Sequence, residues 1–405
     1  MEKAEYTLSC PCCGSDKLIK DGWQLEKQRY CCKACKKKTT YPVIDRELTS
    51  ALVGYKKQTQ RFMDTSRIER KAFREYARLC NAVEAYNIAI RENLQGSCAD
   101  LKKVCIPHRP DTRAPEGMIN LSDLHLNELV ELPFNVYDFQ VGANRLSKLA
   151  DRARQYFKSF GVTDILIVNT GDTINSDRRL DELLNQATNR ANATILSVHL
   201  LRQFIEDLNK SFNVRIATVS GNEARTNQET GFSSIMATDN YDFTIMNFLG
   251  YLFEGCEGIR VLPNREKEMV VQVAGKYNVL LLHGEDLSGD IEKRIIQIMG
   301  RYSARNIQVR YVIFGHYHSA RIGDLYARGS SLIGANAYSE YGLHLLGRAS
   351  QNIFLCHADG GIDGIKVDLQ DTDGQGYSMV DRLKEYNAKS ARKNYKPLTI
   401  FEVVV

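Results

Sequence analysis

No stretch of this 405-residue chain runs to about 18 uninterrupted apolar residues, so no membrane-spanning helix is expected. Its opening residues, Met1-Glu2-Lys3-Ala4-Glu5, are charged and lack an apolar core, which argues against a secretory leader and makes the cytoplasm the expected compartment. There are only eight prolines, and no internal repeat or low-complexity tract. With 43% hydrophobic and 25% charged residues, the composition is neither collagenous nor disordered. The length suits two or three domains.

A large charge excess is also missing: 54 basic against 49 acidic residues give a net +5. That small surplus is unevenly placed. Residues 1–117 hold 23 Lys and Arg against 15 Asp and Glu, and the remainder holds 31 against 34. A basic end joined to a separate body fits a nucleic-acid-binding module, although a merely solvated basic surface gives the same count.

Cysteine is plentiful, at 11, but clustered: six lie between Cys10 and Cys35 and the others are scattered. An odd number without a secretory leader points to reduced thiols and one metal cluster. Two C-x-x-C pairs, Cys10/Cys13 and Cys32/Cys35, can complete a tetrahedral four-thiolate zinc site. Cys12 and Cys31 allow a shifted register, but only the chosen one puts Gly14 directly after its knuckle. So short a segment cannot bury enough core to fold alone, so zinc would supply most of its folding energy. Lys33, Lys36, Lys37 and Lys38, near Tyr30 and Trp23, are candidate nucleic-acid contacts. With Lys20-Asp21-Gly22 and Arg29-Tyr30 added, residues 8–42 resemble the zinc ribbons of transposases and transcription factors.

Residues 66–95 have a helical pattern, opened by a Ser66-x-x-Glu69 capping box and carrying an apolar stripe from Ile68 to Ile90. A helix-turn-helix with an earlier helix near 47–60 is a further reading. Residues 96–117 lose all periodicity and hold three prolines, as a linker would. The expected organisation is a zinc ribbon over 1–45, a helical segment over 46–95, a linker over 96–117, a catalytic body over 118–370 and an extension over 371–405.

Past residue 118 the pattern is α/β. Strands are expected at Met118–Leu121, Asp164–Asn169, Val214–Val219, Met269–Ala274, Val279–Leu282 and Arg310–Phe314, with helices near 144–160, 178–210 and 288–304. Five of these strands end in Asp, Asn or His: Asp123-Leu124-His125, Gly171-Asp172, Gly221-Asn222-Glu223, His283-Gly284, and Gly315-His316-Tyr317-His318. Chemistry in α/β folds gathers at such strand ends. Imidazole, carboxylate and amide oxygen together suit two divalent ions. His108, His199, His344 and His357 match no motif and read as ordinary structural residues.

Taken in order, these motifs resemble the calcineurin-like metallophosphoesterase family over about residues 117–360. Ser331 to Ser339 and Ala349-Ser350-Gln351-Asn352 resemble its phage-encoded members, for which the compartment would be the host cytoplasm. The resemblance implies an αββα sandwich. It also implies one metal held by Asp123, His125, Asp172 and His318, and a second held by Asp172, Asn222, His283 and His316, with Asp172 bridging. Manganese is the expected ion. The chain departs from the family at Glu223, which stands where the family has a leaving-group histidine. Glu223 could donate a proton or position Asn222, and Arg225 could stabilise charge on the phosphate. The ribbon and the basic end favour a DNA nuclease, with DNA as partner and self-association as a further possibility. The alternative is a phosphatase whose ribbon binds a protein.

Overall fold

The computed structural model describes residues 8–24, 27–40, 53–67, 70, 71, 74, 115–226, 235–342 and 347–390. The chain divides into two compact units, Met1–Asn93 and Leu94–Val405.

In the first unit, β1 (Leu18–Gln24), β2 (Lys27–Cys32) and β3 (Lys38–Thr39) form an antiparallel sheet in that order. A helix, α1, runs unbroken over residues 53–67. Ser66 therefore lies inside a helix rather than capping the start of one, and that helix runs past residue 60, where the earlier helix of the helix-turn-helix reading was expected to end. Its hydroxyl-x-x-carboxyl spacing is a cap only where the backbone has not yet become helical. Most of the stripe expected over 66–95 lies outside the described residues.

The second unit has four layers. Six strands form one sheet in the order β16-β15-β4-β7-β8-β9: β4 (Glu116–Leu121), β7 (Asp164–Asn169), β8 (Asn213–Thr218) and β9 (Ile259–Val261) run parallel. β15 (Ser350–Cys356) and β16 (Ile362–Asp368) add an antiparallel edge. The second sheet is β10-β11-β12-β14-β13: β10 (Met269–Val273), β11 (Tyr277–Leu281), β12 (Val309–Phe314), β13 (Arg321–Ile322) and β14 (Tyr326–Arg328). A small hairpin of β5 (Val130–Leu132) and β6 (Asn135–Tyr137) stands apart.

The sheets face each other across one core. Met118, Leu166, Val168, Ala217 and Phe354 of the first meet Val271, Val279, Leu281, Tyr311 and Ile313 of the second. β4 and β15 are buried throughout, as strands covered on both faces must be. The first sheet is covered outside by α2 (Phe139–Ser159), α4 (Arg190–Asn209) and α5 (Tyr241–Leu252). The second is covered by α6 (Ile291–Ser303), through Ile295 and Tyr302. Among the described residues, no helix is long and apolar enough to cross a membrane.

The strands read from periodicity lie within a residue or two of those observed, but two helices differ. α2 begins five residues early, because Asp138 caps it by accepting the N–H of Val141. The single helix expected over 178–210 is broken into α3 (Leu180–Leu184) and α4. Between them, the carbonyl of Asn185 and the N–H of Ala187 bond to Leu129 and Asn127 instead of continuing a helix. Beyond β16 the chain packs back on the body, with Met379 fully buried and Tyr377 donating to Asp207 at 3.0 Å, and a last helix, α7, spans Val380–Glu385.

At the end of β7, Gly171 has φ +97°, and a Cβ there would lie 2.6 Å from Gly221 Cα. Ala at this position should both strain the backbone and force the β7 and β8 loops apart. Gly171→Ala should lower stability by at least about 2 kcal/mol in urea unfolding.

Candidate metal centre

Asp123 and His125 follow β4, Asp172 follows β7, Asn222 and Glu223 follow β8, His283 follows β11, and His316 and His318 follow β12. Both sheets therefore deliver their ligand-type residues to one seam, at the carboxyl ends of parallel strands. The loops are tied together there by backbone bonds: Asp123 N–H donates to Gly171 O (3.1 Å), His125 N–H to Asp172 O (3.0 Å) and Gly315 N–H to His283 O (2.8 Å).

Two groups emerge, Asp123/His125/His318 and Asp172/His283/His316, with the ligand atoms of each lying within 4.8 Å of one another. His125 Nε2 and His318 Nε2 are 3.2 Å apart, and His318 Nε2 is 3.4 Å from Asp123 Oδ1. In the second group, His283 Nε2 lies 3.1 Å from Asp172 Oδ2, 3.2 Å from His316 Nδ1 and 2.8 Å from Asn222 Oδ1. Thr170 O accepts from His283 Nδ1 at 2.7 Å, so that nitrogen carries the proton and Nε2 keeps its lone pair for a cation.

The backbone shows the same convergence. Of nine non-glycine residues at positive φ among the described residues, five are Asp123, His125, Asp172, His316 and His318, with φ between 43° and 68°. Each such conformation costs about 1–3 kcal/mol and persists only where the surroundings impose it. Two imidazoles and a carboxylate per group suit a transition-metal ion, and the donors fit a metal pair.

The electrostatics agree. Burial disfavours the His283 imidazolium, yet the charge and hydrogen bond of Asp172 push His283 up to about 10. Burial likewise opposes the shift at His318, and Asp123 overcomes it. Burial would raise both carboxyls, but His318 holds Asp123, and His283 holds Asp172, below the usual carboxylate range. At His316 burial, with the charge of His283, acts the other way and lowers the imidazole. A divalent cation bound here would take the place of the protons on His283 and His318.

Three supporting residues had no signal in the sequence motifs. Asp242, buried at the start of α5, accepts N–H groups from Asp172, Thr173 and Gly221, each at 2.9 Å, and so clamps the β7 and β8 loops together. Gln351 on β15 receives Ser122 N–H at 2.8 Å and donates to Ser122 O and Ser330 O at 2.9 Å, pinning the loop that carries Asp123. Arg178 lies 3.1 Å from Glu223 Oε2 and donates to Asn222 O at 3.1 Å. A sequence-level cue exists only for Asp242, which reads as a helix-start acid.

Glu223 Oε1 accepts the Asn222 amide N–H at 2.6 Å, and its backbone N–H donates to Asp172 Oδ1 at 2.8 Å. The Arg225 guanidinium pairs with Glu285, which also holds Lys267 at 2.7 Å. The guanidinium beside Glu223 belongs to Arg178.

In the first unit, Cys10, Cys13, Cys32 and Cys35 come together, with Sγ pairs 10–35 and 13–32 each 3.7 Å apart. Four sulfurs tetrahedrally around zinc at about 2.3 Å would lie about 3.8 Å apart, so the cage has the size of that ion. Backbone N–H groups, led by that of Cys35, lower the Cys32 thiol to about 6. Cys35 receives a backbone N–H from Lys37, but burial and the neighbouring thiols push it up to about 12, a conflict that a divalent cation relieves. Cys12 is exposed, and Cys31 Sγ faces the carbonyls of Cys32 and Lys36. Lys33, Lys36, Lys37 and Lys38 are all exposed, Lys38 pairing with Asp21 at 2.8 Å.

No family model matches the chain, and no curated protein matches it in sequence. Among solved structures it is similar to a predicted phosphoesterase from Streptococcus pneumoniae, at 12% identity and a TM-score of 0.26, covering 63% of this chain and 98% of that one. It is also similar to Chaetomium thermophilum Vps29, at 10% identity and a TM-score of 0.27, covering 62% and 96%. A phosphatase from Mycoplasma pneumoniae matches at 10% identity and a TM-score of 0.28, covering 67% and 99%. Likenesses this slight bear on neither substrate nor mechanism, which rest on the site itself.

Because Asp242 bonds the backbone of the ligand loops and none of the ligand atoms, Asp242→Asn should weaken Mn2+ binding by about 10–100-fold in calorimetric titration. Unchanged affinity would mean the two loops hold their places without it.

Proposed function

We propose that this chain is a two-metal phosphodiesterase that cuts DNA and is anchored to it by its basic first unit. The observation that carries the reading is the pair of adjacent ligand groups, each with one carboxylate and two imidazoles, at the seam of two sheets. Two divalent ions bound there would supply Lewis acidity toward a phosphoryl oxygen and an activated water at neutral pH.

The residues divide the work. Asp123, His125 and His318 would hold one ion, and Asp172, His283, His316 and Asn222 the other, with Asp172 near both groups. Manganese suits imidazole, carboxylate and amide oxygen donors, and zinc suits the four thiolates of the ribbon. Glu223 is a positioning residue: by accepting the Asn222 amide N–H it turns the amide oxygen toward His283. One of its oxygens faces that amide and the other the Arg178 guanidinium at 3.1 Å, contacts that orient the side chain. The DNA part of the reading is supported by the basic surplus of residues 1–117 and the exposed lysines of the ribbon.

With Mn2+, the protein should hydrolyse both bis(p-nitrophenyl) phosphate and linear or circular DNA. Asp172→Asn should slow both by about three orders of magnitude while leaving DNA affinity nearly unchanged. A variant that cuts at the wild-type rate would remove the two-metal assignment. Wild-type protein that hydrolyses the ester but leaves DNA intact would instead point to a phosphatase with a protein-binding ribbon.

Glu223→Gln separates positioning from proton donation. A proton donor matters for a deoxyribose alkoxide and hardly at all for nitrophenolate. Equal fractional losses on DNA and on the nitrophenyl ester are expected. A much deeper loss on DNA would make Glu223 the acid.

A further inference from the structure

One face of the ribbon sheet carries Cys32 at its knuckle end and runs from there toward the turn between β1 and β2. We propose that this face, carrying Trp23, Tyr30 and Lys20, binds single-stranded DNA by stacking unpaired bases on its aromatic rings. The proposal rests on the reading of DNA as substrate and adds the strand state that the anchor selects.

Trp23 is the only tryptophan of the chain and is 71% exposed. So large an apolar ring is normally kept from water unless a ligand covers it. The strand register puts it in company. Trp23 lies opposite Gln28, Lys20 opposite Tyr30, and Tyr30 opposite Thr39. Residues directly opposite in an antiparallel sheet share a face, as do residues two apart on one strand. Trp23, Lys20, Gln28, Tyr30 and Thr39 therefore form one surface across all three strands.

The odd spacing from Lys20 to Trp23 would ordinarily send the two side chains to opposite faces. It does not, because the register shifts between them: three steps on β1 match two on β2. A bulge of this kind re-aims a side chain, and Gly22, at φ +77°, gives the backbone the freedom to form it. The ribbon thus carries a local device whose effect is to return the indole to the face of Lys20 and Tyr30.

Charge selects the occupant. Residues 8–40 hold eight basic and three acidic side chains, and the ribbon stays positive even with four thiolates around one zinc ion. Asp21 pairs with Arg29 at 3.3 Å and with Lys38 at 2.8 Å, through residues adjacent in sequence to Lys20 and Tyr30 and so on the opposite face. Lys20 is exposed on the aromatic face, and Lys33, Lys36 and Lys37 are exposed on the knuckle. Cations to follow a phosphate backbone, together with rings to meet base faces, are the means by which proteins hold single strands. A duplex hides its base faces and would leave the indole without a partner.

As the sole tryptophan, Trp23 reports on this face through its own emission. Full-length Asp172→Asn protein with its zinc retained should be titrated with an oligothymidylate, with a duplex of equal length, and with polyglutamate. The single strand should quench the emission strongly, and the duplex and polyglutamate should not. In anisotropy measurements Trp23→Ala should weaken single-strand binding by about tenfold or more, and Trp23→Phe should stay within about threefold of the parent. Single-strand binding with unchanged emission would overturn the proposal, as would equal losses on single strand and duplex in Trp23→Ala. Quenching by polyglutamate as strong as by DNA would also overturn it, in favour of an acidic protein. If Trp23→Ala loses its zinc, the titration and Trp23→Phe decide. Quenching in this variant, beside wild-type protein that cuts no DNA with Mn2+, would sink the nuclease reading and leave this one standing.

Discussion

Everything at the centre of this molecule depends on holding two carboxylates and four imidazoles closer together than their own charges and lone pairs would allow. Nε2 of His125 and Nε2 of His318 lie 3.2 Å apart, and Asp123 and Asp172 are both fully buried. Unpaired charges so placed would be expensive, since desolvation alone opposes each of them. The cluster is tolerable because each anion faces a cationic or cation-binding partner. It is maintained because the backbone around it has few ways to relax.

That stiffness comes from how the two sheets end. Five parallel strands bring their loops to one seam, and the loops bond to one another across it through Gly171 O, Asp172 O and His283 O. Left-handed backbone at five ligand-type positions is the local cost. Asp242 and Gln351 hold the arrangement from behind, one gathering three N–H groups and the other using both ends of its amide. Gln351 also accounts for a stretch of text, Ala349-Ser350-Gln351-Asn352, that reads from sequence only as a family likeness. Its strand, β15, borders β4 and is buried along its whole length, so a polar side chain there must find every partner inside the protein.

The first unit solves a smaller version of the same problem. A three-stranded sheet of this size buries little, and only Cys10 and Cys32 of its described side chains are buried. The spacing of the four sulfurs matches tetrahedral thiolate around zinc, and a cation bound there would supply the sheet's cohesion. Metal coordination at the knuckles leaves the sheet free to expose an aromatic and basic face that a protein with a conventional core would bury.

Sequence alone determined what depends on local pattern and residue chemistry. Apolar runs placed six strands of the body within a residue or two, and the residues after five of them named the metal-ligand types, because a strand end fixes where the next few side chains can go. Paired C-x-x-C spacing likewise named the four cysteines. What depends on partners distant in the chain was decided only by the tertiary structure. The break between α3 and α4 exists because Asn185 and Ala187 bond to a loop some sixty residues earlier. That Arg178 is the guanidinium beside Glu223 depends on how the β7 and β8 loops cross, not on distance along the chain. The roles of Asp242 and Gln351 were hidden for the same reason: their work is hydrogen bonding to backbone groups tens to hundreds of residues away, which leaves no periodicity or spacing to read.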